Sequence, residues 1–382
     1  MDKRIELYIY IPFCVKKCKY CDFLSMPAEE YIQEMYIRQL VEEIKVQSSF
    51  YEDYVVSTIF FGGGTPSILK SIHITNIMSA IYAHWKVEAG AEISLEANPG
   101  TLSQERLLNY KTAGINRLSI GLQSSNDSEL KVLGRIHTFS DFLESYENAR
   151  TAGFDNINVD LMSAIPGQTL SSWKNTVKRV AMLKPEHISA YSLIIEEGTE
   201  FYDLYSTKIG QKLLPDEETD RAMYHATDDI LVKYGFKRYE ISNYARQGRE
   251  CRHNIGYWTG AEYLGLGLGA SSYTMGRRFH VDRDLDNYLH IDMNKDITPL
   301  YEDIKELTKE EKMGEFMILG LRMTQGVSAA EFHDRFGLNI MDVYGDVIEK
   351  HEQQGLLDVY LPQIKLTDKG LDLANVVMQD FV

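Results

Sequence analysis

Cys14, Cys18 and Cys21 stand in the run Phe13-Cys14-Val15-Lys16-Lys17-Cys18-Lys19-Tyr20-Cys21, a Cys-x3-Cys-x2-Cys spacing. The only other cysteine, Cys251, is far away in the chain. Three thiolates on one short loop do not complete a four-coordinate structural metal site. They are enough to hold three irons of a [4Fe–4S] cluster and leave the fourth iron free, since such clusters are held by cysteine thiolates. Zinc is the competing reading, because it accepts a distant cysteine or histidine as fourth ligand, and Cys251 or His253 could serve. A disulfide framework does not fit four cysteines in 382 residues with three crowded together. Lys16, Lys17 and Lys19 surround the thiols, and nearby cations favour the metal-binding thiolate.

The elements that must position this loop are legible as alternating strands and helices. Short apolar β-rich runs occur at 7–11, 57–61, 92–96, 117–121, 156–160 and 187–191. Between them, segments such as 30–48, 103–113 and 139–152 repeat apolar residues at three- and four-residue steps. Gly114 and Gly153 follow the last turns of two of these helices. Strand alternating with helix predicts parallel βα units. Six units are too few for a closed eight-fold barrel, so the expected fold is α/β, a partial, open (β/α)6 barrel. Barrel strands deliver functional side chains at their C-terminal ends. Those ends carry Gly62-Gly63-Gly64-Thr65-Pro66, Glu96-Ala97-Asn98-Pro99, Gln123-Ser124, Asp160 and Ile194-Ile195-Glu196. Helix caps and turns would explain single members, such as Asn98-Pro99 or Ser124, but not the whole set.

Beyond residue 200 the pattern changes. An amphipathic helix is expected over 217–234, and a strand over 236–242. The glycine alternation of 263–269 lacks the strand–GxGxxG–helix context of a phosphate site and reads as close backbone packing beside a ligand. The expected division is a barrel core over 1–240, a connecting region over 241–300 and a smaller helical, winged-helix-like domain over 301–382. In that last segment, helical patterns over 312–323, 328–336 and 340–354 precede a hairpin and a final helix over 368–378. It holds sixteen acidic against eight basic residues, and the whole chain carries a net charge of −16. Such a surface repels nucleic acid, so none is expected as a partner. No run of 18 apolar residues predicts a membrane span. The absence of a secretion-signal pattern and the few cysteines predict a cytoplasmic protein.

The stretch from Tyr8 to Cys21, with a strand leading into Cys-x3-Cys-x-Tyr20-Cys21, resembles the cluster loop of radical S-adenosylmethionine (SAM) enzymes. In that superfamily the free iron is chelated by SAM, whose reductive cleavage gives a 5′-deoxyadenosyl radical. Nearly the whole chain resembles the oxygen-independent coproporphyrinogen III dehydrogenase group, and within it the heme-chaperone branch. The resemblance implies Cys14, Cys18 and Cys21 as cluster ligands. It implies Tyr8, Tyr20, Gly63, Gly64, Thr65, Glu96, Gln123, Arg135, Asp160 and Ile194 around SAM. Carboxylates answer SAM's ammonium and ribose hydroxyls by charge-assisted hydrogen bonds. Two departures weigh against porphyrinogen decarboxylation. Phe23 stands where the dehydrogenase has a further cysteine, and only 13 residues precede Cys14.

The run His253-Asn254-Ile255-Gly256-Tyr257-Trp258 matches a motif tied to heme binding in the chaperone branch. A lone histidine is usually a surface or core residue. Heme, however, uses a histidine axial ligand and a flat apolar face to rest on. His253 is therefore the expected axial ligand, with Cys251 as competitor. The resemblance implies a [4Fe–4S] cluster, SAM and heme as cofactors, and heme-acceptor proteins as partners. A homodimer is a further expectation. The alternative activity is the dehydrogenase itself, forming protoporphyrinogen IX.

Overall fold

The computed structural model describes residues 3–295 and 297–382. Six parallel strands stand side by side in chain order: β1 (Lys3–Ile11), β2 (Tyr54–Gly63), β3 (Val87–Ala97), β4 (Arg117–Gln123), β5 (Ile157–Ser163) and β6 (His187–Ser192). Parallel neighbours need a crossover, usually a helix. The helices Glu30–Ser48, Ser71–His84, Gln104–Thr112, Phe139–Thr151 and Leu170–Met182 lie in those crossovers. Their starts are set by the sequence. Ser103 and Thr169 accept backbone N–H groups of the first turn, and Thr138 forms a reciprocal capping box with Asp141. The strands are buried by helices on one face and by the barrel interior on the other, so all seven residues of β4 are buried.

Antiparallel strands extend the sheet at both edges. β7 (Lys237–Arg238) pairs with β8 (Asn243–Ala245), and β8 pairs with β6. At the other edge β9 (Tyr263–Leu266) runs parallel to β1. It is followed outward by the antiparallel strands β10 (Ser271–Thr274), β11 (Arg277–Val281) and β12 (Tyr301–Glu306). The twelve-stranded sheet ends on β12 and β7 and does not close, so the barrel is open and partial, with six parallel βα units at its centre. The segment 241–300 contributes four strands to this sheet, and the strand that opens the 301–382 segment is the sheet's last. The strand expected over 236–242 is broken: after Arg238 the chain turns, and Glu240 bridges to Met323 of the tail.

The tail has its own core, in which Met317, Leu321, Phe332, Ile348, Ile364 and Phe381 are buried together. The helices Lys309–Gly320, Ala329–Phe336 and Ile340–Gln353 precede the hairpin Leu357–Tyr360 and Gln363–Leu366, which Val327–Ser328 extends to three strands. This is the winged-helix-like order. The expected last helix is two short ones, Asp368–Asp372 and Ala374–Met378, separated at Leu373 where the backbone leaves helical geometry. Among the described residues no helix is long and apolar enough to cross a membrane.

Candidate cofactor site at the mouth of the barrel

β1 hands the chain directly into the cysteine loop. Phe13 is fully buried edge-on against Tyr36, with ring centres 5.2 Å apart, and anchors the loop's start. Cys14 N–H donates to the Met26 carbonyl and Met26 N–H to that of Pro12, so the loop's two ends are tied together. A turn closes from Cys21 N–H to the Cys18 carbonyl. Lys19 N–H reaches the Leu133 carbonyl, and its own carbonyl accepts from Phe201 N–H. The three cysteines are half-buried free thiols that line one cavity of about 470 Å³. Burial pushes the Cys21 thiol up, and Cys18 and Cys14 push it further, while the Phe23 N–H and Lys17 oppose them. A positively charged metal centre relieves that mutual repulsion.

The donor set fits a multi-iron cluster better than one ion. Among the described residues no three Cys, His, Asp or Glu side chains gather as a single-ion site, whereas the three thiols surround a shared cavity. Neither a histidine nor a fourth cysteine lines it among the described residues. Cys251 is wholly buried elsewhere, 3.5 Å from Glu92 Oε1, which removes it as a zinc ligand in this geometry.

The ends of β2 to β5 converge on the same cavity. Gly63 has φ +103°, and a Cβ there would lie 2.8 Å from the Tyr10 ring. At Gly64 a Cβ would sit 2.7 Å from the Phe13 carbonyl oxygen, so glycine lets β2 lie against the cysteine loop. Thr65 follows, its hydroxyl 3.3 Å from Cys14 Sγ. Asn98 Nδ2 donates to that hydroxyl at 3.0 Å. Arg135 donates to Asn98 Oδ1 at 2.8 Å and to the Tyr20 hydroxyl at 2.8 Å. A continuous hydrogen-bonded chain therefore runs from Cys14 to the half-buried Arg135 guanidinium.

Two carboxylates face this chain. Burial, and then the neighbouring Asp160, pushes Glu96 up to about 8, against the Gly63 N–H and Arg117. Burial also raises Asp160, opposed by hydrogen bonds that include those from Asn158 at 2.6 Å and Ser119 at 3.1 Å. Near neutral pH Glu96 keeps its proton, chiefly because burial disfavours the charged form and secondarily because Asp160 is nearby. Gln123 takes φ +72°, a region uncommon for non-glycine residues, and accepts from the Tyr191 hydroxyl at 3.2 Å. Ile194 is exposed at the rim. A cation with polar hydroxyls would find carboxylates, amide and guanidinium at fixed positions here.

Twelve of the residues expected from the sequence line this cavity: Cys14, Cys18, Cys21, Tyr20, Gly63, Gly64, Thr65, Glu96, Gln123, Arg135, Asp160 and Ile194. Tyr8 and His253 do not. Tyr8 is beside the cavity wall, since a Cβ at Gly62 would lie 2.4 Å from its hydroxyl and 3.1 Å from Glu96 Oε2. His253 is wholly buried, stacked on Phe60 with ring centres 5.1 Å apart. Its Nδ1 is 2.7 Å from the Thr58 hydroxyl and its Nε2 2.9 Å from the Tyr257 hydroxyl. Burial and Arg117 push the imidazole down to about 3, so it is neutral. With both ring nitrogens engaged, this geometry does not meet the expectation of an axial heme ligand. Cys251, whose thiol burial pushes up to about 12, is likewise enclosed.

Sequence reasoning set Asn98 among the strand-end residues without giving it a role, and it passed over Tyr191. Asn98 lies two residues beyond Glu96, so strand alternation puts it on the same face. Tyr191 lies next to the last residue of β6 and lines the cavity, but its offset of three from Ile194 gave no such signal.

The radical SAM superfamily matches residues 8–180, and the HemN C-terminal domain matches residues 307–373. The chain is 36% identical to the heme chaperone HemW of Lactococcus lactis, over 100% of this chain and 98% of the relative. It is 36% identical to HemW of Bacillus subtilis, over 98% of each. Identity to HemW of Escherichia coli is 31%, over 99% of this chain and 98% of that one. Among solved structures, the radical SAM enzyme coproporphyrinogen III oxidase (HemN) of Escherichia coli superimposes with a TM-score of 0.86. That match has 23% identity and covers 100% of this chain and 91% of that one.

Proposed function

This chain belongs to the heme chaperone HemW family of the radical SAM superfamily, and from that premise we propose that it binds heme and delivers it to acceptor proteins. It carries a [4Fe–4S] cluster on Cys14, Cys18 and Cys21. Tyr8, Tyr20, Gly63, Gly64, Thr65, Glu96, Gln123, Arg135, Asp160 and Ile194 surround SAM in this reading. When bound, the cluster would supply an electron and a coordination position for SAM. The protein's own residues orient the cofactor: Arg135 fixes Tyr20 and Asn98, and Glu96 and Asp160 place two carboxyls on the cavity, that of Glu96 protonated near neutral pH. A cytoplasmic location accompanies this reading, supported by the reducing conditions that a half-buried cluster needs. A homodimer remains part of it.

The carrying observation is that identity to the chaperones runs through the whole chain, tail included, not through the barrel alone. The oxidase fold does not decide the activity, because one fold hosts many chemistries. Phe23, 62% exposed on the cavity wall, occupies the place at which the dehydrogenase resemblance called for cysteine. The test is an anaerobic hemin titration of reconstituted protein, followed by mixing with a heme-free acceptor such as apomyoglobin. Saturable binding and transfer are expected; absence of saturable binding refutes the proposal. Formation of protoporphyrinogen from coproporphyrinogen III, with SAM and dithionite, would restore the oxidase reading.

A further inference from the structure

Beneath the cofactor cavity the barrel interior is polar. Asp160 lines the cavity, and Asn158, two residues earlier in β5, shares its inward face one layer deeper. Asn158 stands directly across from His187, the first residue of β6, in the parallel register. Asn158, His187 and Tyr239 are all buried. Asn158 Nδ2 is 2.6 Å from Asp160 Oδ1 and 2.7 Å from the Ser119 hydroxyl. Asn158 Oδ1 is 2.6 Å from His187 Nδ1. His187 Nε2 is 2.8 Å from the Tyr239 hydroxyl, whose oxygen accepts the Cys251 N–H at 3.3 Å.

The chemistry of these groups fixes the direction of the chain. Hydrogen bonds from Asn158 and Ser119 to Asp160 favour its charged form against burial. A carboxylate only accepts, so the amide edge that meets Asp160 is the NH2 group and the edge that meets His187 is the carbonyl. The imidazole must then donate from Nδ1. Burial, and then Arg117, push His187 well below its ordinary value, so the ring is neutral and carries that one proton. Its Nε2 is left as an acceptor, and the Tyr239 O–H supplies it. Every donor therefore points the same way, from Tyr239 through His187 and Asn158 to Asp160. Turning the Asn158 amide over would set its oxygen against Asp160 and its NH2 against the Nδ1 proton. The imidazole proton thus locks the amide, and the amide locks the carboxylate.

Resting on the SAM reading of the cavity above, we infer that His187 and Tyr239 are positioning residues for that cofactor: through Asn158 they hold the Asp160 carboxylate as a fixed acceptor, aimed into the cavity at a hydroxyl or ammonium of the ligand. Neither touches the ligand. This role accounts for a wholly buried histidine at the base of a barrel strand with both ring nitrogens engaged, where burying polar groups carries a cost that an apolar side chain would avoid.

The test compares His187→Asn with His187→Gln in the full-length, anaerobically reconstituted protein. Circular dichroism and iron and sulfide content check that each variant is folded and loaded, and equilibrium dialysis reads SAM affinity. His187→Asn keeps an N–H donor where Nδ1 stands, whereas His187→Gln carries its amide out toward the Nε2 position and leaves the Asn158 carbonyl without that donor. His187→Gln should therefore weaken SAM binding about tenfold, and His187→Asn by no more than about threefold. A space-filling role predicts the reverse order, because glutamine is nearer to histidine in volume. A second readout needs no SAM. In urea denaturation of the cluster-free full-length chain, His187→Gln and Asp160→Asn, which share no direct bond, should depart from additivity by about fivefold or more in the unfolding constant. A loss of affinity in His187→Asn as large as in His187→Gln overturns the positioning role, as does additivity in the cycle. Failure of the wild type to bind SAM removes the cofactor reading of the cavity, and the cycle alone then decides the chain from Tyr239 to Asp160.

Discussion

Glu96 lines the cofactor cavity with a carboxyl that holds its proton well beyond the ordinary range, and glutamine in its place isolates what that proton is worth. Burial, then Asp160, moves the group from 4.5 to about 8. At about 1.4 kcal/mol per pH unit, ionising it in the folded chain costs up to about 5 kcal/mol. Water in the cavity reduces this, leaving roughly 2–5 kcal/mol. The folded state binds the proton more tightly than the unfolded one. The stabilisation is therefore complete below the ordinary carboxylate range and is lost as pH rises through about 8. Glutamine has no such proton. Urea denaturation of cluster-free wild type and Glu96→Gln should give similar stabilities at about pH 4, below the ordinary value of 4.5. At pH 9 the variant should be more stable by roughly 2–5 kcal/mol. Burial also raises Glu6, to about 9, and Glu43, to about 7, but these act alike in both proteins and cancel in the difference. Parallel stability curves across this range would refute the reasoning.

The remaining predictions concern the cysteine loop. Cys14→Ala, Cys18→Ala and Cys21→Ala should each lose the iron and sulfide of anaerobic reconstitution, whereas Cys251→Ala should retain them; iron and sulfide analysis decides, and full content in any of the first three contradicts the ligand assignment. Gly64→Ala pushes a methyl against the Phe13 and Ile11 carbonyls. It should cost about 1–3 kcal/mol in urea denaturation and lower cluster content, and wild-type values for both would show that the loop does not depend on that approach.

The six parallel strands and the polar residues at their ends were legible because a βα unit leaves a local signature: an apolar run, a capping residue, a helical period. The helix Phe139–Thr151 shows it, with the Thr138 capping box at its start and Phe139, Phe142, Tyr146 and Ala149 buried at helical steps. The flanks of the sheet left no such trace. β12 alternates nothing apolar, since Glu302, Asp303, Lys305 and Glu306 are exposed. It is a charged edge strand, and charge on an edge prevents further pairing. The glycines of 263–269 do mark close backbone packing, but against protein: a Cβ at Gly265 would meet the Ser271 carbonyl at 2.3 Å, and one at Gly267 the Tyr36 hydroxyl at 2.4 Å. The direction of His253 depends on Thr58 and on Tyr257 together, one of them 195 residues away. Residue type and spacing do not carry that information, so a buried histidine and a ligand read alike.

The most direct measurement is electron paramagnetic resonance of the reduced, anaerobically reconstituted protein with and without SAM. An iron with no protein ligand, facing the cavity at the barrel mouth, predicts a [4Fe–4S] signal whose g-values shift when SAM is added. A signal that SAM leaves unchanged, or one that disappears on substitution of a fourth side chain, would contradict it.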